Sequence, residues 1–148
     1  MMEESLYFSG VVETRWRDAE QFRKHTIPTY FGPFPGPSFL KTAFSYHIRR
    51  KILRDYRGQG TGLHDPNEVY HQFIREVMAV ATILGKNKYI MGGNRPTTLD
   101  ATVYGYLAPF LQGPWDHPIC DFVQKEPDCD NLRSYVDRMR KQYWPELQ

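Results

Sequence analysis

Histidines, cysteines, an arginine cluster and a glycine-rich loop are the groups in this chain that could hold a metal, a thiolate or a phosphate. The histidines do not assemble. His64 and His71 are seven apart, but His64 precedes a helix cap, and His25, His47 and His117 lie in separate segments. No His-Glu-x-x-His pair exists, so no metal site is expected. Cys120 and Cys129 share one short segment without forming a Cys-x-x-Cys pair, and no activating group stands beside them. They read as free thiols in a reducing compartment. Gly58-Gln-Gly-Thr-Gly62 superficially looks like a phosphate-binding loop, but no Lys-Ser or Lys-Thr follows and no strand pattern precedes it. A helix stop is the better reading. Arg49, Arg50, Lys51, Arg54 and Arg57 could meet phosphates. They equally complement the negative end of a helix, and a net charge of +2 gives no strong pull toward nucleic acid. No nucleophile-elbow motif is present. No catalytic residue is expected.

The elements that must position these groups are helices. Thr97 is placed as an N-cap with Asp100 three positions on, so hydroxyl and carboxylate can satisfy two orphan backbone donors reciprocally. No charged residue follows until Asp116, and a helix without a charged face belongs in the middle of a helical domain. Pro109 predicts a kink or early stop near its far end. Asp65, Pro66 and Glu68 make a second capping box, ahead of Val69, Phe73, Val77, Val80 and Leu84 at helical spacing, with Gly85 as the stop. Tyr89, Ile90 and Met91, in the connection between these two helices, are expected to tuck beneath them.

Residues 3–24 read as a first helix. Phe8, Val12, Trp16 and Ala19 form its stripe, Tyr7, Val11 and Phe22 widen it, and Glu13, Arg17, Glu20 and Gln21 fill the polar side. An arc this broad is expected to touch two bodies. Residues 25–38, with Pro28, Pro33, Pro35 and Pro37, read as a connection pinned by Tyr30, Phe31 and Phe34. A second helix is expected over 38–56, with Phe39, Ala43, Tyr46 and Leu53 inward. A short helix should follow Pro118, and a last one should begin near Asp130, with Leu132, Tyr135, Val136 and Met139 inward and Pro145 as its end. No alternating strand pattern or internal repeat is seen. The whole reads as one all-α domain, a multi-helix bundle over 1–148, long enough to bury its own core. No apolar run could span a bilayer and the acidic start is no secretion signal, so a cytoplasmic location is expected.

This order of features resembles the C-terminal, all-helical domain of the glutathione S-transferase superfamily. The Thr97–Asp100 box opening a buried central helix carries the resemblance. It is nearer to the branch of failed-axon-connections and metaxin-like proteins. The supporting pieces are Tyr89-Ile-Met-Gly-Gly-Asn-Arg-Pro-Thr-Thr-Leu-Asp-Ala-Thr-Val-Tyr-Gly105, Asn131-Leu-Arg-Ser-Tyr-Val-Asp-Arg-Met139, Tyr143-Trp-Pro-Glu146 and the early segment from Tyr7 to Trp16.

The resemblance implies a thioredoxin-like domain ahead of the helices, supplying the glutathione site and the thiol-activating residue. Residues 1–148 show no strand–helix–strand start, so that domain is expected to be absent and the chain to be inactive alone, with no cofactor of its own. Glutathione would be a co-substrate of the parent protein. The helical domain would contribute the wall of the electrophile pocket. Tyr7, Trp16 and Tyr46 are the apolar candidates, with Arg15 and Arg50 as polar contacts. A symmetric homodimer through the uncovered arc of the first helix is also expected. The alternative is a non-enzymatic interaction module of metaxin-like type, the one reading under which membrane association is expected.

Overall fold

The computed structural model describes residues 5–33 and 35–145, and among these every regular element is helical. Seven helices carry the fold: α1 (Tyr7–Arg17), α2 (Phe22–Phe31), α3 (Ser38–Gly58), α4 (Pro66–Leu84), α5 (Thr98–Gln112), α6 (Pro118–Lys125) and α7 (Asp130–Tyr143). Short helical turns, Ala19–Gln21, Thr61–Leu63 and Pro127–Cys129, join some of them. The all-α bundle expected from the sequence is the architecture found.

The apolar residues separate into two cores. The larger one gathers α4, α5, α6 and α7 around Phe73, Val77, Leu107, Phe110, Ile119, Leu132 and Tyr135, with Leu6 reaching in from the start of the chain. The smaller one joins α1, α2 and α3 through Val12, Trp16, Phe22, Phe31 and Tyr56. α1 packs against both α3 and α4, so it is the strut between the two.

α5 begins as its sequence requires. Thr97 and Asp100 form the reciprocal capping box, and Asp100 is completely buried. Its carboxylate accepts from the Thr97 N–H at 2.8 Å, the Thr97 hydroxyl at 2.9 Å, the Ile90 N–H at 2.8 Å and the Tyr135 hydroxyl at 3.2 Å. Burial opposes the charged form. The backbone N–H bonds from Thr97 and Ile90 and the two hydroxyls outweigh it and hold the carboxyl below its ordinary value. One carboxylate thus caps α5, fixes the α4–α5 connection through Ile90 and ties on α7 through Tyr135. The Asp65–Glu68 box likewise opens α4, whose expected apolar stripe is buried throughout.

Several expectations are corrected. The first helix ends at Arg17, not residue 24, because the Asp18 side chain caps a new turn, accepting from the N–H groups of Glu20 and Gln21. α1 and α2 are wound in the wide i→i+5 fashion, which changes the residues that share a face. Glu13, assigned to the polar side, is therefore buried. The arc of α1 is largely covered by α3 and α4, with Val12 fully buried and Val11 and Phe8 half-buried. That removes the premise of an uncovered first helix.

Residues 22–31, expected to be a connection, are helical through Pro28. Tertiary bonds hold them so: the Thr26 hydroxyl donates to the Arg15 carbonyl at 2.8 Å, and the neighbouring Gln21 side chain donates to the Asp116 carbonyl. Phe34 lies outside the described residues. α3 turns Ser45 and Tyr56 inward, with Ile48, Ile52 and Leu53 partly covered, and leaves Phe39, Ala43 and Tyr46 exposed. Met91 is exposed while Tyr89 and Ile90 are buried. α5 runs three residues beyond Pro109 rather than stopping at it. Among the described residues no helix is long and apolar enough to cross a membrane.

Candidate functional site

The break at Asp18 folds α2 back so that aromatic rings from three helices meet. Trp16 lies 5.7 Å from Phe22 and 6.3 Å from Tyr30, centroid to centroid. Phe22 meets Tyr46 of α3 edge-on at 5.4 Å. The Arg49 guanidinium sits 5.2 Å over Phe22 and donates to the carbonyls of Trp16 and Arg17, at 2.7 and 2.9 Å. Those two bonds satisfy carbonyls at the end of α1, which has no continuing helix to use them. Arg15 donates to the Tyr30 hydroxyl and lies 4.9 Å over the Trp115 ring.

Four of the five sequence-derived pocket candidates thus fall in one neighbourhood. Trp16 and Tyr46 share Phe22, Arg15 reaches the same wall through Tyr30, and Arg50 joins Tyr46 in lining an open cavity of about 570 Å³. Tyr7 stands apart: it meets Phe8 edge-on at 5.1 Å and does not line that cavity. Phe22 and Arg49 are the members that sequence reasoning missed as site residues. Phe22 looked like ordinary stripe, and Arg49 looked like one more cation at a helix end.

Behind this wall is a buried ionic clamp. The Tyr56 hydroxyl donates to Glu13 at 2.7 Å, and Arg17 pairs with the same carboxylate at 3.2 Å. Burial, and then the bond to Glu13, push the Tyr56 hydroxyl far above its usual range. It stays protonated and serves as a donor rather than a base. Arg17 also donates to the His64 carbonyl at 3.0 Å, tying α1 to the start of α4. The i,i+4 spacing of Glu13 and Arg17 was the available signal for this pair.

The thiols offer no nucleophile. Both cysteines are buried, and burial pushes the Cys120 thiol up to about 12 despite the Arg15 charge nearby. Cys129 is raised for the same reason. His117 accepts the Ile119 N–H as the cap of α6, and burial holds its pKa below the ordinary histidine value although Asp18 and Glu13 pull the other way. Among the described residues no three His, Cys, Asp or Glu side chains are placed to hold a metal ion. Gly60 takes φ 106° just past the end of α3, so the Gly58–Gly62 loop acts as a helix stop.

Residues 73–139 match the family model for the glutathione S-transferase C-terminal domain. That span runs from α4 through most of α7 and includes the Asp100 hub. Over that span this chain is similar to the glutathione S-transferase C-terminal domain. Across 143 residues it is 28% identical to an isoprene-epoxide glutathione S-transferase of Rhodococcus sp. (strain AD45), covering 97% of this chain and 58% of that protein. It is 30% identical over 139 residues to a metaxin-1 homolog of Caenorhabditis briggsae, covering 93% of this chain and 41% of the relative. It is 32% identical over 150 residues to metaxin-3 of Xenopus laevis, covering 97% and 47%. The chain spans about half the length of these curated relatives. No solved structure matches it significantly. The chain is thus similar to two kinds of relatives, a named transferase and the metaxins, and that likeness reaches α1–α3 as well as residues 73–139.

Proposed function

We propose that this chain is the helical half of a glutathione transferase-like protein and provides the wall for the electrophilic co-substrate. A thioredoxin-like domain outside residues 1–148 would bind glutathione and activate its thiol. The observation that carries this reading is the aromatic cluster of Trp16, Phe22 and Tyr46, in which the buried Trp16 and Phe22 back the exposed Tyr46, and Tyr46 lines an open cavity with Arg50. It occurs in a chain whose Rhodococcus relative is named for joining an epoxide to glutathione. A small epoxide is the co-substrate class proposed. The chain by itself is silent, because both its thiols are buried with raised pKa values and Tyr56 is locked as a donor. A cytoplasmic parent completes the reading.

The test uses the full-length parent beside the isolated chain. Retention of the parent on immobilised glutathione and conjugation of an epoxide are expected, with neither shown by the chain alone. Tyr46→Ala in the parent should raise KM for the epoxide several-fold while leaving retention on glutathione unchanged. A parent that neither binds glutathione nor turns over an epoxide overturns the enzyme reading. That outcome favours a non-enzymatic interaction module, the reading supported by metaxin relatives of comparable identity.

A further inference from the structure

The outward face of α3 is little used by the fold: Tyr46 and Arg50 belong to the proposed pocket wall, and Phe44 meets Phe31 edge-on at 6.0 Å. At helical spacing, Phe39, Ala43, Arg50, Arg54 and Arg57 line up on the side away from the buried Ser45 and Tyr56. The line changes character along its length. Its first half is apolar and open, with Phe39 70% and Leu40 50% exposed and Phe44 and Tyr46 beside them. Its second half is cationic: Arg50, Lys51, Arg54 and Arg57 are all exposed, and none has an ion-pair partner among the described residues. Asp55 is the one carboxylate in this stretch of the helix. From Phe39 to Arg57 the face is roughly 27 Å long at the α-helical rise.

We infer that this face of α3 docks on an anionic phospholipid surface, with Phe39, Leu40 and Phe44 entering the headgroup boundary and Arg50, Lys51, Arg54 and Arg57 meeting lipid phosphates. Charge complementarity requires an anionic occupant. The cavity along the cationic half is walled by α3 alone, from Tyr46 to Arg57, so it has no second wall to grip a peptide. A nucleic acid duplex would match the cations but leave the apolar half without a role. A planar bilayer surface satisfies both halves, since aromatic and aliphatic insertion combines with attraction to anionic headgroups. Apart from Arg50, the residues it uses are not members of the proposed electrophile wall.

The experiment is co-sedimentation of the full-length parent, and of the chain alone, with vesicles of phosphatidylcholine alone and of phosphatidylcholine with about a third phosphatidylserine, at low and high salt. Binding to the serine-containing vesicles, at least tenfold stronger than to phosphatidylcholine and weakened by salt, is expected. The variant R50E/K51E/R54E should lose that binding, and F39S/L40S should weaken it even at low salt, with unchanged circular dichroism in both. Poly-glutamate is the comparison ligand. Equal binding to both vesicles, no binding to either, binding by the chain alone but not by the parent, or salt-sensitive binding to poly-glutamate alone would each overturn the inference; the third would assign the face to the further domain and the last to an acidic protein.

Discussion

A single side chain, Asp100, links three parts of this domain. Replacing it with Ala removes a helix cap, ordinarily worth about 1–2 kcal/mol. It also strands the buried Ile90 N–H and Tyr135 hydroxyl, each a further cost of roughly 1 kcal/mol or more. Asp100→Ala is therefore expected to lose about 3–5 kcal/mol in urea unfolding, and Tyr135→Phe, which removes one donor, about 1 kcal/mol. A loss for Asp100→Ala no larger than that of an exposed cap would show that Ile90 and Tyr135 do not depend on it. The charge has its own signature. The folded carboxyl is more acidic than the free side chain, so its stabilisation is whole at neutral pH, declines once pH drops below the unfolded value near 4 and vanishes below the folded value. The stability gap between the native chain and Asp100→Asn should narrow over that acid range. A gap that stays constant down to pH 2 contradicts it.

At the scale of elements, what the sequence made legible follows from where the deciding forces are local. Both capping boxes, the stripe of α4, the short α6 and the inner face of α7 are set by residues within a turn or two of each other. α1 to α3 were less legible because their conformation is decided from afar. Thr26 is held by the carbonyl of Arg15, and Gln21 by the backbone of Asp116. The wide winding of α1 also invalidates a 3.6-residue stripe, which is why Glu13 was misplaced while Trp16 was not. The site shares this split: Trp16 and Tyr46 stand out as aromatics, but their common partner Phe22 is recognisable only once the chain turns at Asp18. Gly10 shows how tightly α1 meets α4 and α5. A Cβ there would lie 2.6 Å from Phe110 Cζ and 2.8 Å from Phe73 Cε2, two fully buried rings already edge to face. Gly10→Ala should destabilise by about 1–3 kcal/mol through overpacking. Gly105→Ala, on the open side of α5 with nothing within 4 Å, should be neutral or stabilise by up to about 1 kcal/mol. Equal unfolding midpoints for the two variants would mean that α1 does not approach the core this closely.

The whole molecule has two apolar cores of unequal size joined by one strut, and this asymmetry has a dynamic consequence. The α4–α7 core contains a continuous set of fully buried side chains and the Asp100 hub. The α1–α3 core rests on five buried residues and is held to the rest through α1, the Arg17–His64 bond and the paired bonds between the Gln21 side chain and the Asp116 backbone. Regions with fewer buried contacts open at lower free energy than the global transition. Phe22 is the centre of the smaller core, touching Trp16, Tyr46 and Arg49, and truncating such a ring costs about 3–5 kcal/mol. In native-state hydrogen exchange, Phe22→Ala should speed exchange of the α2 and α3 amides by at least tenfold, while those of α4, α5 and α7 keep their native protection at low denaturant. The same substitution would loosen the aromatic wall without unfolding the α4–α7 core, so an electrophile site built on Trp16 and Tyr46 would fail while the Asp100 hub stayed intact. A uniform loss of protection across all seven helices would instead mean that both cores open as one unit, and the pocket wall could not then be altered separately from the stability of the bundle.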